Sequence, residues 1–242
     1  MVLGVGTVLV IIGAGLAVGL SALGAGIGVG IAGAAAAGVT AVDPDKFGMS
    51  LVFQALPQTQ GIYGLLIAIL LLMSTGVLGG TPEDIPVAVG LAALGVGIAV
   101  GFSGLSAIGQ GIAASNGVAV AGRDRSAIGK GLVFSVLPET QAIYGLLVAI
   151  LLMAFTGMFT GVYTIADAVG FAAIGCGLAI GLAGLSAIGQ GITAGAGIVA
   201  SARKPEVMGR ALIFAVMSET FAIFGLLIAI LIMFGIGLIG GA

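Results

Sequence analysis

The stretch LPETQAIYGLLVAILLMAFTG, Leu137–Gly157, decides the fold. It is nearly unbroken in apolar character and carries one acid, Glu139. A helix needs about 20 apolar residues to cross the hydrocarbon of a bilayer, so this is a membrane-length segment with a carboxylate inside it. A charge at the bilayer centre costs about 2.5–3.5 kcal/mol on insertion scales. Such a residue calls for a functional account.

The rest of the chain has the same character. Of 242 residues, 60% are hydrophobic and 7% charged, with no His and no Trp. That leaves too few charged residues to clothe a water-soluble surface. Six stretches reach spanning length: 2–41, 48–79, 86–120, 127–160, 165–200 and 207–240. Lipid-exposed backbone must satisfy its own hydrogen bonds, and the period-2 alternation of a β-barrel is missing. An all-α membrane protein with six transmembrane helices is expected.

The charges orient it. Lys46 lies in the first connection, Arg123, Arg125 and Lys130 in the third, and Arg203, Lys204 and Arg210 in the fifth. The second and fourth connections hold only Glu83, Asp84 and Asp167. The positive-inside rule then places loops 1, 3 and 5 in the cytoplasm and both termini outside a cell membrane crossed several times. No basic patch points to nucleic acid. The N-terminal segment lacks the basic start of a signal peptide, and its apolar run is too long for one, so it reads as the first helix. The single cysteine, Cys176 in IGCGLAIG, reads as a small packing residue. A GxGxxG match in the first span has no strand before it and carries no weight as a dinucleotide site.

The chain repeats itself. LVFQALPQTQGIYGLLIAIL from Leu51, LVFSVLPETQAIYGLLVAIL from Leu132 and LIFAVMSETFAIFGLLIAIL from Leu212 align directly. GLSALGAG from Gly19 aligns with GLSAIGQG from Gly104 and from Gly184. Three tandem two-helix hairpins follow, over 1–80, 81–161 and 162–242. Each has an even number of spans, so the three are parallel. On this alignment hairpin 1 has four extra residues, with 33 positions from Ala25 to Gln58 against 29 from Gln110 to Glu139. The first helix of each hairpin is rich in Gly and Ala, which lets backbones approach closely. The second carries bulky Leu, Ile, Met and Phe that suit lipid. Thin helices inside and bulky ones outside describe a ring of hairpins.

Glu139 and Glu219 are the two acids deep in the spans. A neutral glutamate that only glues helices is the simpler account, but two at equivalent repeat positions argue for an ion pathway. Successive helical residues turn by about 100°, so Thr140 and Gln141 cannot face the same pocket as Glu139. Each bulky helix gives its acid to one pocket and its Thr-Gln pair to the next. If each acid uses the pair from the preceding hairpin, Glu139 joins Gln110, Thr59 and Gln60, and Glu219 joins Gln190, Thr140 and Gln141. A third pocket then combines Gln58 and Ala25 with Thr220 and Phe221 of a neighbouring chain, losing its acid and both amides together. The opposite pairing would scatter those losses. Complete pockets of carboxylate, amide and hydroxyl oxygens suit a hard cation, whereas a proton needs only an acid. This favours Na⁺ over H⁺.

LPETQ in a second helix and AIGQG in a first resemble the proteolipid (K or c) subunit of archaeal and bacterial V/A-type rotary ATPases, over essentially the whole chain. The resemblance implies identical copies forming a rotor ring in membrane lipid, turning against a stator membrane subunit and joined to a central-stalk subunit. Ions would load at the glutamates, with no catalytic residue and no cofactor beyond the transported ion. It also implies a leucine carbonyl in each site: Leu56 with Glu139, Gln110, Thr59 and Gln60, and Leu137 with Glu219, Gln190, Thr140 and Gln141. Gln58, Ala25, Phe221 and Ser218 depart from the family pattern, so the pocket of hairpin 1 should be degenerate. The competing class, a self-contained multipass transporter or channel, needs a continuous polar path through one chain rather than separate, evenly spaced pockets.

Overall fold

The computed structural model describes residues 3–80 and 84–240; Glu83, in the second connection, lies outside the described residues, as do the outermost residues of the first hairpin's start and the third's end. The described residues form helices and turns only. Five helices are long and apolar enough to cross a membrane, and a pair bent by 43°, Pro44–Ala55 with Gln58–Ser74, makes the sixth span. The expected six-span, three-hairpin membrane fold is what the chain adopts.

Hairpin 1 runs up α1 (Val5–Val42) and back through α2 (Phe47–Ala55) and α3 (Gln58–Ser74). In hairpin 2 the first span is α4 (Val87–Gly104) with α5 (Ser106–Ala121), and the second is α6 (Ile128–Val136) with α7 (Thr140–Phe155). Hairpin 3 follows suit with α8 (Asp167–Ala183) and α9 (Ala187–Arg203), then α10 (Met208–Val216) and α11 (Glu219–Gly235). Glycines at left-handed φ, Gly76, Gly157 and Gly237, sit just beyond the ends of the three second spans, where such glycines close a helix without a Cβ clash. At the opposite end, Lys46 Nζ donates to the Gly122 carbonyl, bringing the first and third connections together. Lys46 also pairs with Asp43 at 3.2 Å, which holds the Asp43 carboxyl below its usual range.

The small-residue helices stand side by side in the order α1, α4–α5, α8–α9. Of the most apolar window of each, 78% is buried in the middle member and only 33% and 39% in the flanking two. The row therefore has two open ends. It packs backbone to backbone: a methyl on Gly111 would run into the Gly28 carbonyl, and one on Gly191 into the Gly109 carbonyl. Without the hydrophobic effect to drive helices together in lipid, such close van der Waals contact is what holds them. The bulky helices α3, α7 and α11 pack on the outer side of this row, with Ile62, Leu65, Ile143, Leu147, Phe224 and Leu227 exposed as a lipid-facing surface requires.

One equivalence needs correcting. Gly28 abuts the Ala107 carbonyl as Gly109 abuts that of Ala187, and Ser21 faces Gly64 as Ser103 faces Gly145. The structural counterpart of Gln110 is therefore Val29, one helical turn beyond Ala25. Val29 lies 29 positions before Gln58, the same spacing as Gln110 to Glu139, and the four extra residues vanish. The motif match is off by one turn because small residues recur throughout these spans.

Candidate functional site

Each second span breaks where its polar residues gather. Pro57 separates α2 from α3, and Pro138 sits in a 3₁₀ turn, Leu137–Glu139, between α6 and α7. Proline has no N–H to continue the ladder, and the carbonyl just before it accepts from the following threonine through both its backbone N–H and its hydroxyl. Leu56 O accepts from Thr59 Oγ1 at 3.1 Å, and Leu137 O from Thr140 Oγ1 at 2.9 Å. In hairpin 3, where Ser218 replaces the proline, the break persists as a turn at Met217 and Ser218.

Two polar networks span adjacent hairpins. In the first, Gln60 Nε2 donates to Gln110 Oε1 at 2.6 Å and Gln110 Nε2 to Glu139 Oε2 at 3.2 Å. Thr59 Oγ1 lies 3.1 Å from Gln60 Oε1. The second repeats it: Gln141 Nε2 to Gln190 Oε1 at 2.7 Å, Gln190 Nε2 to Glu219 Oε2 at 3.2 Å, and Thr140 Oγ1 3.3 Å from Gln141 Oε1. All four glutamines are buried, while Glu139 and Glu219 are half-buried at the outer edge of their pockets. Glu139, Gln110, Thr59, Gln60 and Leu56 thus come together, as do Glu219, Gln190, Thr140, Gln141 and Leu137.

Two contributors escaped the sequence reading. Tyr63 OH donates to Glu139 Oε1 and Tyr144 OH to Glu219 Oε1, each at 2.7 Å. Both tyrosines come from the preceding hairpin, three residues beyond its pocket glutamine and so on the same helical face. A signal was present: the position reads Tyr, Tyr, Phe down the three repeats, and the glutamine position reads Gln, Gln, Phe.

Each carboxylate therefore meets one amide and one phenol donor, with amide, hydroxyl and carbonyl oxygens a few ångströms behind. The chain's cations lie near or within its connections, so no guanidinium or ammonium stands in these pockets to neutralise an anionic glutamate. An anion held in hydrocarbon with neutral donors alone requires a mobile cation or a proton. Among the described residues no cluster of three or more His, Cys, Asp or Glu could hold a metal; the oxygen set here rests on amides and hydroxyls instead.

The residues of the third pocket remain apart in one chain. Gln58 is exposed on the open side of hairpin 1, with Val29 nearby, and Thr220 and Phe221 are exposed on the open side of hairpin 3. Ala25 is buried beside Gly61.

Tandem parallel hairpins with a glutamate held in an amide pocket at each internal junction define a class, the membrane proteolipids of rotary ATPases. The chain belongs to the ATP synthase C-subunit family, whose model matches residues 12–71, 87–152 and 174–232, once in each hairpin. It is 58% identical to the A-type ATP synthase subunit K of Methanocaldococcus jannaschii over 222 residues, 92% of this chain and 94% of that one. It is 38% identical to the V-type sodium ATPase subunit K of Enterococcus hirae over 120 residues, 49% of this chain and 73% of that one. With the human V-type proton ATPase 16 kDa proteolipid it shares 32% identity over 143 residues, 58% and 89% of the two chains.

Proposed function

We propose that the protein is a non-catalytic rotor-ring subunit that carries Na⁺ on Glu139 and Glu219. The observation that carries this reading is the pair of equivalent networks. Each joins one carboxylate, two amide groups, a threonine hydroxyl and a leucine carbonyl in a continuous chain of contacts, every link of hydrogen-bond length. All-oxygen sets of this kind suit hard cations, and a proton carrier has no use for so many. Tyr63 and Tyr144 hold the carboxylates in place from the neighbouring hairpin. On loading, the glutamine and threonine oxygens turn to the ion, and the neutral, filled pocket can then face lipid as the ring turns. The relative named as a sodium ATPase subunit supports this choice of ion; relatives named for protons are the alternative that the test addresses.

In the same reading, identical copies close a ring in the cell membrane, with loops 1, 3 and 5 cytoplasmic and both termini outside. The ring works against a stator membrane subunit, and the cytoplasmic loops meet the central stalk. Carbodiimide modification tests the ion directly. Glu139 and Glu219 should be labelled in the detergent-solubilised protein, ion-coupled ATPase activity of the whole complex should stop, and Na⁺ should slow both. Protection that follows pH and never Na⁺ would assign the sites to protons.

A further inference from the structure

Both internal junctions are built alike. Gln60 and Tyr63 on α3 reach across to Gln110 and Glu139, and Gln141 and Tyr144 on α7 reach to Gln190 and Glu219. The two reaching positions on α11 are Phe221 and Phe224. The two receiving positions on hairpin 1 are Val29 and Gln58. Both sides of this would-be junction have thus changed together, from polar to largely apolar.

We propose that the two open faces of the chain close on each other between copies as an apolar lock, with Phe221 and Phe224 of one copy seated in the outer groove of hairpin 1 on the next. The proposal rests on the ring reading and goes beyond it. The junction between chains is a docking element in its own right, not merely an ion site that has lost its ligands.

Three observations fix the occupant as a second copy. The groove stands at the right place, about 370 Å³ lined by Ala22, Ala25, Val29, Gln58, Ile62 and Leu65. The aromatic pair is 60% and 55% exposed, held edge to face with centroids 6.2 Å apart, a rigid knob rather than a loose surface. The inner row also continues across the same junction. Gly97 sits on the Gly13 carbonyl and Gly177 on that of Gly95, so the repeat leads to Gly15 of a second copy on the Gly175 carbonyl. Space is open at both: nothing lies within 4 Å of a methyl built on Gly15, and only the tip of Ile232 reaches one on Gly175.

The physical reason lies in the unassembled chain, whose two end faces lie against lipid. A Gln–Gln and Tyr–Glu network split between them would strand donors and acceptors in hydrocarbon. Phenylalanine and valine strand none, leaving one neutral amide, Gln58, and one hydroxyl, Thr220. The boundary between chains falls at the junction that opens at least cost. Both ion pockets are complete inside each chain before a ring exists.

Photo-crosslinking tests this. Phe221 is replaced by p-benzoyl-phenylalanine, the purified ring is irradiated, and the products are mapped by mass. Crosslinks should join chains and land on the groove residues of hairpin 1. A second measurement uses the double variant Phe221→Gln with Phe224→Tyr. Its ring should fall to single chains at lower detergent concentration, with at least a tenfold rise in free chain. Carbodiimide labelling of its Glu139 should stay Na⁺-protected, showing that the chain is folded. Crosslinks confined to one chain, or joining α11 to α11, overturn the lock, as does a double variant with unchanged ring stability. A native protein with the mass of one chain overturns the ring reading itself. A ring whose crosslinks miss hairpin 1 overturns only the lock.

Discussion

Hairpins 1 and 2 are the same design without and with an acid in the second helix, and their inner helices differ along with it. α1 runs unbroken from Val5 to Val42. The corresponding span of hairpin 2 breaks at Leu105, where Leu105 N bonds Phe102 O and Ile108 N bonds Leu105 O, the tighter 3₁₀ spacing. Hairpin 3 has a 3₁₀ turn at Gly184–Ser186. Seven positions separate Ser21 from Gly28, but six separate Ser103 from Gly109. Seven α-helical steps and six steps containing one 3₁₀ turn both advance about 10.5 Å. The inner helices therefore stay level with one another, while the break changes how the residues beyond it are phased. The tightened turn and the inner-helix glutamine, Gln110 or Gln190, occur together in two hairpins and are absent together in the first. The pocket is a backbone feature as much as a set of side chains.

Variants that erase or create this contrast should be graded. Glu139→Gln should give hairpin 2 the glutamine that hairpin 1 has at this position and lower bound Na⁺ from two to one per chain, as counted by native mass measurement. Next is Gln110→Ala, which removes an oxygen and orphans the Gln60 amide. Leaving a buried polar group unpaired costs about 1–3 kcal/mol, so Na⁺ protection at Glu139 should weaken roughly 10- to 100-fold while Glu219 is unaffected. Tyr63→Phe takes one donor from the carboxylate and leaves the oxygen set intact; a loss of about tenfold in Na⁺ protection is expected, near 1.4 kcal/mol by the usual conversion. Gln58→Glu, the reverse experiment, should have the smallest effect. It restores a carboxylate, but Val29 and Phe221 still stand where amides are needed, so no added Na⁺ should appear in the mass of the chain.

Much of this was legible without coordinates because the pattern is coarse. Membrane-length apolar runs announce six spans, and LPQTQ, LPETQ and MSETF align three hairpins by themselves. The pairing of each acid with the preceding hairpin's Thr-Gln was also legible, because only one pairing makes the losses coincide. What escaped was register inside the small-residue helices. GLSALGAG matches GLSAIGQG by letters, yet Ser21 occupies the place of Ser103, not of Ser106. In a helix of glycine and alanine a slip of one turn costs almost nothing in similarity, and the 3₁₀ turn that resolves it leaves no compositional trace. Counting back 29 positions from Gln58 would have reached Val29. The tyrosines carry no local motif: Tyr63 and Tyr144 stand among apolar residues, and only their place one turn beyond the pocket glutamine links them to the site.

The central claim is that each chain carries two ion sites, at Glu139 and Glu219, and that the junction at Gln58 carries none. Each ion crossing 100 mV is worth about 2.3 kcal/mol, so the count sets what one turn of the ring can gather. The direct measurement is Na⁺ bound per chain in the purified ring at saturating Na⁺. Two are expected. Three would mean that Gln58, Val29 and Phe221 form a working site after all, and none, with glutamate reactivity governed by pH alone, would contradict the Na⁺ assignment.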